Sequence, residues 1–164
     1  MSKDSRRHKT PTPLAIRRAV EADVETLADI HLAARQAASM PRGIHSDAEV
    51  RSWISHVTLH NPTWVAEMDG QTVGYVRCDD TTIEDLYVLP LYQGAGVGSA
   101  LLDFVKSQRP GGFTLWVFQE NAPAITFYRR HGLAVLETTD GSHNEEKAPD
   151  MRMGWLAESK PKAL

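Results

Sequence analysis

The sequence predicts one α/β (α+β) domain, a single sheet with helices packed on its faces, and three observations carry that reading. Strand-like and helix-like periodicities alternate along the chain, hairpin signals sit beside strand–helix–strand units, and neither linker nor repeat divides the 164 residues. A chain of this length builds one hydrophobic core and is short for two. Its 41% apolar and 24% charged residues are the ordinary balance of a globular protein.

The elements follow in order. Leu14 to Val20 reads as a strand, and Glu21-Ala22-Asp23 as a turn. Val24, Leu27, His31, Ala34 and Ala38 recur at helical spacing, so a helix is predicted to about Ser39, where Met40-Pro41-Arg42-Gly43 breaks it. Ser46 and Glu49 have capping-box spacing and start a second helix, with Val50, Trp53, Ile54 and Val57 on its inner face. Trp64 to Ala66 and Val73 to Val76 are strands joined through Asp69-Gly70, two residues that tolerate positive φ. Ile83 to Leu89 is a third strand of this group, ending at Pro90. Val97, Ala100, Leu101, Phe104 and Val105 mark a helix that stops before Pro110-Gly111-Gly112, and Phe113 to Phe118 is again a strand. Asn121 caps the next helix, Pro123 fits its first turn, and Gly132 closes it. Leu133 to Glu137 and Met151 to Trp155 read as final strands around a polar loop.

Charge and composition exclude several function classes. A formal charge of −3 gives no general attraction to nucleic acid or anionic membrane, and no apolar run reaches membrane-spanning length. The single cysteine, Cys78, cannot form an internal disulfide or a cysteine-rich zinc site, which points to a reducing, cytoplasmic setting. Seven scattered histidines lack metal-ligand spacing, so no metal is expected. Residues 1–12, with Lys3, Arg6, Arg7 and Lys9, read as a basic solvated tail rather than a secretory signal. Residues 13–157 then form the domain and 158–164 a second tail, and nothing decides against a homodimer.

One segment stands out. Gly94, Gly96 and Gly98 alternate between a strand and an amphipathic helix. Glycine there lets amides turn inward and a ligand approach closely, and the helix start adds unpaired N–H groups suited to phosphate oxygens. A tight turn with no ligand fits the same residues. Two phosphate loops do not fit. A Walker A loop needs Gly-Lys-Ser/Thr where this chain has Gly98-Ser99-Ala100, and the dinucleotide fingerprint needs a glycine where Leu101 stands.

The run from Leu86 to Leu102 resembles motif A of the GNAT N-acetyltransferases, whose Gln/Arg-x-x-Gly-x-Gly/Ala pattern is met by Gln93, Gly96 and Gly98. The block Asn121 to Leu133 is similar to motif B of the same family, in the correct order and spacing. The resemblance implies a mixed, mostly antiparallel sheet of six to seven strands with helices on both faces. It also implies acetyl-CoA as co-substrate, its pyrophosphate at Gln93, Gly94, Ala95, Gly96, Val97, Gly98 and Ser99. Backbone groups of Leu86, Tyr87 and Val88 would take the pantetheine arm, with Asn121 as a further contact. Two departures are visible: Leu133 replaces a frequent aromatic, and Ala95 a frequent basic residue, leaving Lys106, Arg129 and Arg130 as the nearby cations.

By the same resemblance Tyr128 is the acid that protonates the departing thiolate; a core tyrosine is the plainer alternative. Glu84 and Asp85 are adjacent carboxylates in an apolar strand, pointing to opposite faces, so at least one needs a cleft or a cation. Glu84, expected on the face of Leu86 and Val88, is the first choice of base, with a structural ion pair the alternative. Arg35, His45, Trp53, Glu145 and Glu146 are nominated for the acceptor, a small cationic amine or a peptide amine. A binding module for acetyl-CoA without turnover and a nucleotide-binding regulator are the rivals from other classes.

Overall fold

The computed structural model describes residues 13–156, so the basic stretch 1–12 and the end from 157 lie outside the described residues. The elements are β1 (Leu14–Arg18), α1 (Val24–Ala37), α2 (Asp47–His60), β2 (Thr63–Met68), β3 (Gln71–Cys78) and β4 (Thr82–Val88). They continue with α3 (Val97–Gln108), β5 (Gly112–Phe118), α4 (Ala122–Arg130), β6 (Ala134–Thr138) and β7 (Asp150–Leu156). Single 3₁₀ turns stand at Glu21–Asp23 and Pro90–Tyr92.

The strands form one seven-stranded sheet in the order β1-β2-β3-β4-β5-β7-β6, and only the β4–β5 pair is parallel. The local signals act as the sequence predicts. Asp69 and Gly70 both adopt positive φ, 55° and 71°, and close the β2–β3 hairpin. Ser46 accepts from the Glu49 amide at 3.2 Å and starts α2. Asn121 does the same for Ala124 at the start of α4, and Gly132 ends that helix at φ 85°. Several ends are shorter than expected: β1 stops at Arg18, α1 at Ala37 and β4 at Val88.

Each face of the sheet has its own core. Leu27, Ala28 and Ile30 of α1 and Ile54 of α2 pack on Val65 and Tyr75. On the other face, Val97, Leu101, Leu102 and Val105 of α3 cover Val73, Val76, Ile83, Val88 and Leu115, and α4 adds partly buried Ala124, Ile125, Phe127 and Tyr128. Gly74 is what allows α3 to lie so close: a Cβ there would stand 3.0 Å from Val97 Cγ1 and 3.1 Å from the Tyr87 carbonyl. Among the described residues no helix is long and apolar enough to cross a membrane.

Candidate active site

The site begins with a break in the sheet. β4 and β5 pair only at Thr82–Thr114 and Ile83–Leu115, and beyond that point the two strands diverge. β4 stays paired with β3, where Leu89 N–H donates to Val73 O at 2.8 Å. Antiparallel pairing alternates, so Tyr87 and Asp85 also direct their amides to β3, while Leu86 and Val88 direct theirs into the gap. Gln93 confirms that direction, its side-chain amide donating to the Val88 carbonyl at 3.3 Å. The gap therefore exposes a short row of unpaired backbone donors and acceptors.

The glycine turn closes one end of this gap. Gly94 and Gly96 adopt φ 80° and 85°, a region costly for any residue with a Cβ, and no side chain would find a neighbour within 4 Å there. The Ala95 amide bonds the Tyr92 carbonyl, but those of Gly96, Val97, Gly98 and Ser99 have no acceptor among the described residues. Gly98 is glycine for another reason. It has helical geometry, and a Cβ would meet the Phe127 ring at 3.3 Å, so it sets the approach of α3 to α4. Ser99 Oγ is 3.0 Å from His131 Nε2, tying the two helix ends together.

These features line a cleft of about 730 Å³, with Glu84, Leu86, Tyr87, Val88, Gln93, Gly94, Gly96, Gly98, Ser99, Asn121 and Tyr128 on its walls. Tyr128 is half-buried on the cleft wall, and its hydroxyl has no hydrogen-bond partner among the described residues. Burial holds its phenol well above the ordinary tyrosine value, with the nearby Tyr87 adding to the effect. Lys106 turns away, bonding the His131 carbonyl and lying over the Trp155 ring, and Arg129 and Arg130 are exposed on α4.

The expected alternation of Glu84 and Asp85 needs a correction. Arg77 pairs with Asp85 and Cys78 with Ile83, which leaves Glu84 as an extra residue bulged out of the ladder. The bulge returns Ile83 to the α3 face with Leu86 and Val88, and Glu84 stands exposed at the edge of the cleft. Partial burial still raises its carboxyl above the usual range, an effect that Arg77 opposes. Asp85 is the buried partner, its carboxylate accepting from Arg77 Nε at 3.0 Å.

A second cavity of about 450 Å³ opens between α1, α2 and the loop before β7. Arg35, His45, Trp53, Glu145 and Glu146, the five residues nominated for the acceptor, all line it. His45 bridges Glu49 and Glu145 at 3.1 and 3.0 Å, and these two carboxylates raise its pKa. Arg35 lies 3.4 Å from the Tyr87 hydroxyl and 3.6 Å from Glu146, and its Nη2 is buried without a hydrogen bond. Arg35 and Asp85 line both cavities, so the two adjoin. Sequence reasoning missed His31 as a lining residue, because helical spacing reads it as a core position, and left open whether Glu84, Asp85 or a water acts as base. Cys78 is buried and its thiol is raised by that burial, the opposite of an activated nucleophile.

The comparisons with known proteins agree with this geometry. Residues 60–132, which include the turn and the motif B block up to Gly132, match the family model for the acetyltransferase (GNAT) domain. The peptidyl-lysine N-acetyltransferase YiaC of Escherichia coli is 31% identical over 93 residues, 56% of this chain and 62% of that protein. The chain thus spans under two thirds of the length of this curated relative. The solution structure of apo YjaB from Escherichia coli superposes with a TM-score of 0.75 at 23% identity, covering 88% of this chain and 99% of that one. The Thermoplasma acidophilum PaiA N-acetyltransferase in complex with coenzyme A gives a TM-score of 0.69 at 22% identity, over 88% and 99% of the two chains. Strand divergence, glycine turn and family match coincide on the same residues, and over residues 60–132 the chain is similar to the acetyltransferase (GNAT) domain.

Proposed function

We propose that this chain is an acetyl-CoA-dependent N-acetyltransferase that moves the acetyl group directly to a primary amine of a cationic acceptor. The observation that carries the reading is the gap between β4 and β5, ending on a helix start whose amides have no acceptor among the described residues. An extended amide-bearing arm would pair with the free edge of β4, and a pyrophosphate would sit on the amides from Gly96 to Ser99. The residues present therefore fit coenzyme A, which supplies the acetyl group as an activated thioester.

The chain's own groups do the rest. The Val88 amide, aimed into the gap, donates to the carbonyl oxygen as negative charge develops on it. Tyr128, kept protonated by burial, gives its proton to the leaving thiolate. Glu84, at the solvent edge of the cleft, passes protons out to water. Direct transfer is supported by Cys78, whose buried, raised thiol offers no acyl-enzyme route.

The acceptor enters through the second cavity, where Glu49, Asp85, Glu145 and Glu146 outnumber Arg35 and His45. That balance favours an ammonium-bearing molecule, and a cavity of about 450 Å³ suits a small cationic amine. The lysine side chain of a peptide is the second reading, favoured by the name of the relative YiaC. Thiol release from acetyl-CoA, measured across polyamines, amino acids and lysine-bearing peptides, tests the proposal. Release with at least one amine is expected; binding of acetyl-CoA without release on any of them would reduce the chain to a binding module.

A further inference from the structure

Behind the acceptor cavity lies a buried polar chain that the acetyl-transfer reading does not use. His31, 5% exposed on α1, lines the cavity beside Trp53, their rings 5.7 Å apart edge to face. Its Nδ1 is 2.8 Å from the hydroxyl of Tyr75, a fully enclosed residue of β3. Tyr75 is flanked by Asp85, which is itself held by Arg77. The imidazole is packed edge to face on Tyr87 at 4.8 Å, so its orientation is fixed from the β4 side as well.

The direction of the protons along this chain follows from charge. Burial first, then the negative charge of Asp85, hold the Tyr75 phenol well above its ordinary value, so it keeps its proton. The structure gives the Tyr75 hydroxyl one hydrogen-bond partner, His31 Nδ1, while the negative charge of Asp85 draws the hydrogen end of the O–H dipole toward itself. The oxygen lone pairs then face His31, which carries its proton on Nδ1 and donates it to Tyr75. Nε2 is left with its lone pair and no protein partner, yet it is not sealed from solvent: among the described residues Arg35 Nη2 is the buried side-chain atom without a hydrogen bond.

We propose that His31 is the catalytic base for the acceptor amine, with Tyr75 and Asp85 as the positioning residues that fix its tautomer. This rests on the acetyl-transfer reading. The ammonium gives one proton to Nε2 of His31, and the freed lone pair forms the N–C bond as the C–S bond breaks. Tyr128 protonates the thiolate and regains a proton from the nitrogen of the new amide through water, while the imidazolium releases its proton to solvent. The net products are the amide, the free thiol and one proton.

The groups facing His31 are Tyr75 and Arg77 on β3, Asp85 and Tyr87 on β4, and Arg35 on its own helix; Glu49, Glu145, Glu146 and His45 share the cavity. Burial lowers the pKa of His31, Asp85 opposes that, and Arg35 and Arg77 reinforce it. The base form is therefore present at neutral pH, and activity is lost as pH falls through that lowered value.

The test has two arms on the full chain. Nitrogen-15 NMR of labelled histidines, with His31→Gln used for assignment, reads the tautomer without any turnover. A proton on Nδ1 is expected, and a proton on Nε2 overturns the proposal. In the kinetic arm, His31→Gln should lower kcat by about 10²-fold or more, with acetyl-CoA affinity held within about twofold and the acid limb of the pH profile abolished. Tyr75→Phe, which keeps the ring that fills the core, should lower kcat by about tenfold and move that limb. Full activity in His31→Gln overturns the base; absence of turnover in the wild-type chain, with any amine, instead overturns the acetyl-transfer reading.

Discussion

Residue by residue, the site depends on side chains whose protonation is set by what surrounds them. Tyr128 is the plainest case. Its phenol is half-buried on the cleft wall, and that burial opposes deprotonation, so the hydroxyl stays a proton donor well past neutral pH. Tyr128→Phe should lower kcat by about 10²-fold while leaving the acetyl-CoA KM nearly unchanged. The sign of the shift also fixes the alkaline side of the profile. A pKa raised above the ordinary tyrosine value means that rising pH should not switch off the acid step below pH of about 10. Steady-state kinetics against pH checks both; an unchanged kcat in the phenylalanine variant would remove Tyr128 from the acid role. The position of Tyr128 at the cleft was legible in the sequence because the motif B block carries it there. That of His31 was not, since one histidine on a helical stripe looks like any other core residue until Tyr75 is brought to it from 44 positions away.

At the scale of the element, the three alternating glycines separate into different jobs. Gly96 caps α3 in the left-handed region at φ 85°, where a Cβ is strained, whereas Gly98 is helical and spares Phe127 a collision. Gly96→Ala should cost about 1–2 kcal/mol of stability and crowd the amides that would hold the pyrophosphate. An affinity for acetyl-CoA at least tenfold weaker is expected by calorimetry, and unchanged affinity would move the pyrophosphate elsewhere. The motif pattern treats both positions alike; only backbone angles tell them apart. The bulge at Glu84 is a second feature hidden from the sequence, because it arises from the register between β3 and β4 rather than from any residue preference. Strand starts and helix caps were readable by contrast, since Ser46, Asn121, Asp69 and Gly70 act through local geometry that travels with the residue.

The start of α1 is fastened across the sheet in a comparable way. Asp23 accepts from the Val20 amide and from both terminal nitrogens of Arg17, each at 2.8 Å, and Arg17 reaches on to Glu67. The hydrogen bonds from Arg17 hold the Asp23 carboxyl below its usual value, despite the opposing effect of burial. A lowered folded-state pKa contributes stability that is present above the unfolded value and lost as pH falls through the folded one. Asp23→Ala should destabilise the domain by about 1–3 kcal/mol at neutral pH, and the deficit should shrink in acid. Thermal unfolding of both chains between neutral pH and pH 3 measures this; a deficit independent of pH would mean that packing, not the carboxylate, is what Asp23 supplies.

Across the whole molecule, two cores on opposite faces hold a sheet that is continuous except where β4 leaves β5. The class of fold followed from the order of elements alone. That the sheet opens at Ile83, with one cavity at the glycine turn and a second beside α1 and α2, required the strands to be placed in space. Arg35 and Asp85, which border both cavities, stand where the two substrates would meet. The most direct test of this picture is a calorimetric titration of the full chain with acetyl-CoA, followed by competition with ATP. One site per chain is expected, with binding that ATP does not displace. Absence of binding, or displacement by ATP at comparable concentration, would contradict the assignment of this cleft to coenzyme A.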